Sequence, residues 1–217
     1  MAKALPCSRL RGLSAVITAA VFLCAPPLLP AYQRHLSEDD VREAWLFGQR
    51  HDLHVARWFD AYEKKVAPHG KPGDPSVRAI GVRTPYSAVV LRSYQRGNTY
   101  SGLQAWKDYT NVARTFEVVV WVDYPINSFA QGNIADPTAL ILNIFAVKVT
   151  SRDRELTSSK TTVVPQYSGG IEVSTLTGAE LHYEYDVRSV RSAVLRIEVS
   201  NRLDSTVSAD FDLEELR

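Results

Sequence analysis

Aromatic rings to stack on, amide groups and a guanidinium on one short segment are the usual means of holding a sugar or a peptide. This chain gathers them in Tyr94 to Asn111, YQRGNTYSGLQAWKDYTN. Tyr94, Tyr100, Trp106 and Tyr109 offer faces, and Arg96, Asn98, Gln104 and Lys107 offer hydrogen-bond donors. We take Tyr94, Arg96, Tyr100, Gln104, Trp106 and Tyr109 as candidate ligand-binding residues, on a loop at one end of the β domain, where sites concentrate. The segment also has a purely structural reading. Ser101 caps a short helix over GLQAWKDY, and Leu103, Trp106 and Thr110 then share a side that packs down as core.

Catalytic chemistry has less to stand on. His51 and His54 lie three apart with Asp52 between them and present two imidazoles to one side of a helix, but a closed metal site needs three or four ligands. HDLH also lacks the glutamate and the four-residue spacing of the helical zinc-protease motif. Solvated or helix-capping roles suit these residues better, so no metal and no cofactor are expected. Glu184, Asp186, Asp210 and Asp212 sit on the polar faces of two late strands and, if gathered, would be paired carboxylates for acid/base work or calcium. Arg188, Arg191 and Arg196 are close enough in sequence to neutralise them by cross-strand pairing. The chain has no Gly-x-Ser-x-Gly elbow, phosphate-cradling glycine loop or dinucleotide fingerprint, and no catalytic residue is assigned.

The elements that must position these residues fall into two kinds. Ser37 before Glu38, Asp39 and Asp40 predicts a helix start; Val41, Ala44, Trp45 and Gly48 make one apolar stripe, and Val55, Trp58, Phe59, Tyr62 and Val66 a second. Gln49 to Asp52 interrupts them: either one helix continues with a polar patch or, the preferred reading, the chain breaks near Gly48 and Asp52 caps a second helix. This helical lead, residues 37–67, ends at the Pro- and Gly-rich linker PHGKPGDP, Pro68 to Pro75. Beyond it the period becomes two. Strands are predicted at Val77 to Val82, Ser87 to Tyr94, Arg114 to Tyr124, Ala139 to Val149 and Thr161 to Gln166, then at the alternating stretches around Tyr183, Ile197 and Ala209. In RTFEVVVWVDY, Phe116, Val118, Val120 and Val122 face one way and Val119 and Trp121 the other, so this strand is covered on both sides. ALILNIFAVKV has the same character and is expected to pair beside it. The expectation is a mostly β fold: a β-sandwich of about eight strands over residues 76–217, with the N-terminal helix packed on the outer face of one sheet.

With 25 Lys and Arg against 24 Asp and Glu in 217 residues, the chain has no net field to recruit nucleic acid, and its length suits one substantial core. Residues 1–31 read as a signal peptide: Lys3, Arg9 and Arg11 without acids, the apolar run Leu13 to Leu23, then a Pro-rich exit. Eleven helical residues reach about 16 Å, short of the roughly 30 Å of a bilayer's hydrocarbon. A retained anchor extending through Pro26 and Pro27 is the alternative, and lipid on Cys24 a further one, although Leu23 is larger than the residue that normally precedes a lipidated cysteine. Cys7 and Cys24 are the two cysteines, so cleavage after Ala31 leaves a chain without thiol chemistry.

EAWLFGQRHD (Glu43 to Asp52), TPYSAVVLRSYQ (Thr84 to Gln95), ELHYEYDV (Glu180 to Val187) and the C-terminal VSADFDLEELR together resemble a group of exported bacterial proteins without an assigned activity. The resemblance implies a single exported unit and transfers no functional residue. The functional expectation is an exported, non-catalytic envelope or periplasmic protein, periplasmic or extracellular, that acts by surface contact with a protein or glycan partner. Its membrane contact would be limited to a retained N-terminal segment or lipid. The alternatives are a hydrolase of envelope polysaccharide using carboxylates and a carbohydrate-binding module.

Overall fold

The computed structural model describes residues 35–67, 71, 73–111, 114–124, 136–169, 174–202 and 205–216. The expected signal segment with both cysteines, residues 125–135 and half of the linker Pro68 to Pro75 lie outside those residues.

The lead begins as read. Helix α1 (Glu38–Gly48) opens on a reciprocal cap, in which the Asp40 N–H donates to Ser37 Oγ at 3.2 Å and the Ser37 N–H to Asp40 Oδ2 at 2.8 Å. The chain breaks after Gly48, with His51 at a φ of 49°, and restarts as α2 (Leu53–Phe59), where Asp52 Oδ1 accepts from the Val55 N–H at 3.0 Å. A single 3-10 turn (Asp60–Tyr62) then delivers β1 (Glu63–Lys65) to the sheet.

Strand β2 (Ser76–Arg83) follows, but Ser87 to Tyr94 is not a strand. It belongs to helix α3 (Pro85–Arg96). The Thr84 hydroxyl accepts from the Ser87 N–H at 3.1 Å and Pro85 fills the first turn, where its missing N–H costs nothing. The helical period buries Tyr86, Val89, Val90 and Ser93 on one face, which outweighs the β preference of the two valines. Helix α4 (Gly102–Asn111) is capped by Ser101, whose Oγ accepts from the Gln104 N–H at 3.2 Å.

Strand β3 (Thr115–Asp123) is the apolar strand as read. The run Ala139 to Val149 requires a correction: its first part is helix α5 (Pro137–Ile144), capped by Asp136, and its second is β4 (Phe145–Ser151), which pairs in the other sheet rather than beside β3. The remaining strands are β5 (Arg154–Leu156), β6 (Lys160–Gly169), β7 (Ser174–Asp186), β8 (Val194–Asn201) and β9 (Thr206–Asp212). The described residues thus hold nine strands: seven of those expected, plus the short β1 and β5, with α3 in place of the eighth.

The fold is mostly β, with two antiparallel sheets and several helices. One sheet has five strands in the order β1-β2-β3-β7-β6 and the other four in the order β5-β4-β8-β9. Val77, Ile80, Phe116, Val118, Val120, Leu181 and Tyr185 of the first meet Phe145, Val149, Leu195, Ile197 and Phe211 of the second in one core. On the opposite face of β3, Val119 is fully buried and Trp121 half-buried. A Cβ at Gly81 would lie 2.8 Å from the Trp121 ring, so glycine makes room for it. A second apolar cluster belongs to the helices: Val41 and Ala44 of α1, Val55 of α2, Tyr86, Val89 and Val90 of α3, Ala105 of α4, and Tyr100 between the last two. Trp58 packs against both clusters.

Candidate site: a charged cleft between the helices and the outer sheet face

Register places a row of charges across the outer face of the five-stranded sheet. Arg83 on β2 stands opposite Glu117 on β3, Glu117 opposite Glu184 on β7, and Glu184 opposite Lys160 on β6. Two carboxylates side by side on neighbouring strands repel, and the flanking cations relieve this. Arg83 Nη1 is 3.0 Å from Glu117 Oε2, and Lys160 Nζ is 3.1 Å from Glu184 Oε1. His182, two residues from Glu184 on the same face, sets Nδ1 2.8 Å from Glu117 Oε1 and Nε2 3.3 Å from Glu180 Oε2. Glu180 in turn accepts from Gln166 Nε2 at 3.0 Å. The side chains of His182 and Glu117 are only 15% and 26% exposed, which shields this pair from the screening that weakens surface ion pairs. Burial pushes the Glu117 carboxyl up, but the His182 hydrogen bond and the Arg83 charge outweigh it and hold the group below the ordinary glutamate value. Glu117 is therefore an anion at neutral pH.

Above this row stands the wall made by α3 and α4, and between wall and sheet lies a cavity of about 180 Å³. Pro85, Ala88 and Val89 give it an apolar side; Arg83, Arg92 and Arg114 bring three guanidinium groups to it, with Glu117 and Glu184 at the sheet. Arg92 reaches Asp108 of α4 at 3.4 Å, but Asp108 is shared: Arg96 lies at 3.7 Å, Tyr100 Oη donates to it at 3.1 Å and Gln104 Nε2 at 2.7 Å. Partial burial pushes the Asp108 carboxyl up, and the bonds from Gln104 and Tyr100 with both arginine charges bring it below its ordinary value. Arg114, at the foot of β3, has no carboxylate within ion-pair distance among the described residues. A second, shallower hollow of about 340 Å³ lies over Trp121, between Arg78 and Lys65, and gathers no comparable buried charge.

The structure spreads the six candidate binding residues over three places. Arg96, Tyr100 and Gln104 converge on Asp108; Tyr100 is 2% exposed, its ring lies 5.2 Å under the Arg96 guanidinium and its carbonyl accepts from Trp45 Nε1 at 2.7 Å. Trp106 and Tyr109 stand side by side with centroids 5.9 Å apart. Tyr94 is elsewhere, stacked on His51 at 4.8 Å and edge-on to Phe59. Of the six, Tyr109 lines the cleft, and its hydroxyl accepts the Leu36 N–H at 2.8 Å, tying the lead to α4.

His51 and His54 do not meet: the first rests on Tyr94 and the second on the edge of Phe47. Among the described residues no group of three or more histidines, cysteines and acids is placed to hold a metal. The late carboxylates do not gather either, since β7 and β9 belong to different sheets. Asp186 is held by Arg188 at 2.6 Å, and Asp210 by Arg196 across the β8–β9 pair at 2.9 Å. Arg83, Arg92, Arg114 and Glu117 escaped the sequence reading. The usable signal was Glu117 itself, an acid inside a strand that is otherwise apolar on both faces.

No protein-family model matches the chain, and no curated protein matches it.

Proposed function

We propose that the chain is exported and acts by binding rather than by catalysis. In this reading its two sheets form a β-sandwich, the helical lead joins α3 and α4 in a layer beside the five-stranded sheet, and the cleft beneath that layer is the contact site for a protein or glycan of the envelope. The observation that carries this is the charge state of the cleft. Its guanidinium groups outnumber what its acids occupy, and Glu117 is held ionised by His182 and Arg83. Such a carboxylate has no proton to give a leaving group, so Glu117 does not serve as the general acid of a hydrolase. Export is supported by the basic start, apolar run and Pro-rich exit of residues 1–31 and by the resemblance to exported bacterial proteins. Among the described residues no helix is long and apolar enough to cross a membrane. A carbohydrate-binding module is less well supported, because Tyr94 and Tyr100 are used inside the helical layer rather than in an exposed row.

Hydrolysis of envelope polysaccharide is the second reading, favoured by one observation: Glu117 and Glu184 are direct neighbours across β3 and β7 at the cleft. One experiment separates the two. The full chain is incubated with isolated envelope material and sedimented, and the supernatant is assayed for released sugar ends. Binding without release, lost in the Arg92→Gln/Arg114→Gln double variant, is the expected result. Release that Glu117→Gln or Glu184→Gln abolishes would establish the hydrolase instead.

A further inference from the structure

Granting that the cleft is a contact site, we infer that what it takes is a small carboxylate-bearing group, a free acid or the acidic end of a longer chain, seated between Arg92 and Arg114. The donors available to an incoming ligand decide the class. Arg83 is engaged by Glu117 at 3.0 Å. Arg92 makes a long contact to Asp108, a carboxylate already divided among Arg96, Tyr100 and Gln104, and interacts with the Tyr100 hydroxyl, which leaves part of its five N–H donors for a ligand. Arg114 has no acidic partner among the described residues. Tyr109 Oη spends a lone pair on the Leu36 N–H and keeps its own proton to donate. Two forked guanidinium groups and a phenol proton match the planar, two-oxygen geometry of a carboxylate.

The rest of the lining narrows the choice. Glu117 and Glu184 stand at the sheet side, paired with Arg83 and Lys160, so a doubly charged phosphate meets more repulsion from the carboxylates there than a singly charged carboxylate does. The volume of about 180 Å³ is below the roughly 300 Å³ at which drug-sized pockets begin, so the site takes a terminal group or a single residue rather than an extended ligand. Pro85, Ala88 and Val89 give the body of that group an apolar wall.

The test uses the full chain, labelled with ¹⁵N, titrated with three probes: N-acetylalanine, its uncharged methylamide and inorganic phosphate. Saturable shifts confined to amides around Arg92, Tyr109 and Arg114 with N-acetylalanine, at least tenfold weaker binding of the methylamide, and no displacement by phosphate are expected. Arg92→Gln and Arg114→Gln should each weaken the acid about tenfold while leaving the spectrum of the free protein and its melting temperature in place. Equal affinity for acid and methylamide, tighter binding of phosphate, or an acid that binds both variants as well as the native chain would each overturn the inference. If the native chain binds envelope material through the two arginines but ignores N-acetylalanine, the ligand class falls and the contact site stands. If both fail, the cleft is not a site.

Discussion

Gly48 is where the helical layer is most tightly built, and replacing it by alanine tests that layer. A Cβ there would lie 2.4 Å from the Val90 carbonyl oxygen and 2.7 Å from Ser93 Cβ, and the obstruction is partly backbone of α3, so no side-chain rotation relieves it. Alanine improves helix propensity by at most about 1 kcal/mol. Against that, forcing a methyl into a filled contact costs about 1 to 3 kcal/mol, here at the upper end because two helices must part. Parting them also stretches the bonds that cross the contact, Ser93 Oγ to the Trp45 carbonyl at 2.7 Å and Gln49 Nε2 to Ser93 Oγ at 2.9 Å and to the Gly97 carbonyl at 2.8 Å. Loss of about 1 kcal/mol from that group leaves a net destabilisation of about 2 to 3 kcal/mol. For a chain of this size that is a fall in melting temperature of about 4 to 12 °C, read by circular dichroism. An unchanged or higher melting temperature for Gly48→Ala would refute the packing of α1 on α3.

Three further outcomes follow from the same structure. Thr84→Val keeps shape and removes the cap, so it should lower stability in urea by about 1 kcal/mol, and an unchanged midpoint would mean that the cap contributes nothing to α3. Because the Glu117 carboxyl titrates below its ordinary value when folded, its contribution is complete above about pH 4.3 and is lost as the pH falls through the lowered native value. Stability of Glu117→Gln should accordingly drop less on acidification than that of the native chain, and identical pH slopes in urea titrations would count against the His182–Glu117–Arg83 linkage. Asn201 is buried and donates from Nδ2 to the Pro75 carbonyl at 3.1 Å while Oδ1 accepts from the Ser205 N–H, joining the β8–β9 hairpin to the approach of β2. Asn201→Ala should cost about 1 to 3 kcal/mol in the same assay, and a neutral result would mean that this tie contributes nothing.

What could be read from the residues was what local chemistry decides. The Ser37 and Asp52 caps, the break after Gly48, the Ser101 cap and the doubly apolar β3 are each set by a few neighbouring side chains, and each is present. Two stretches misled for the same reason. Val89, Val90 and Leu91 on α3, and Leu140 to Phe145 across α5 and β4, are short apolar runs in which helix and strand periods look alike. The deciding cues, Thr84-Pro85 and Asp136-Pro137, are a cap followed by proline at the first helical position. The cleft was out of reach because pairing order creates it. His182 and Glu117 are 65 residues apart, and nothing local says that β7 lies beside β3. The Tyr94 to Asn111 stretch is dense in polar and aromatic groups, yet most of them turn toward one another, around Asp108 and within the helical layer.

Hydrogen exchange of the full chain, alone and bound to isolated envelope material, tests the site most directly. Slowed exchange on binding should fall in Pro85 to Arg92 and in Arg114 to Glu117, the two walls of the cleft. Slowing instead along the exposed edge strand β6, or around the exposed Leu46, Leu53 and Leu103, with the cleft segments unchanged, would contradict the assignment.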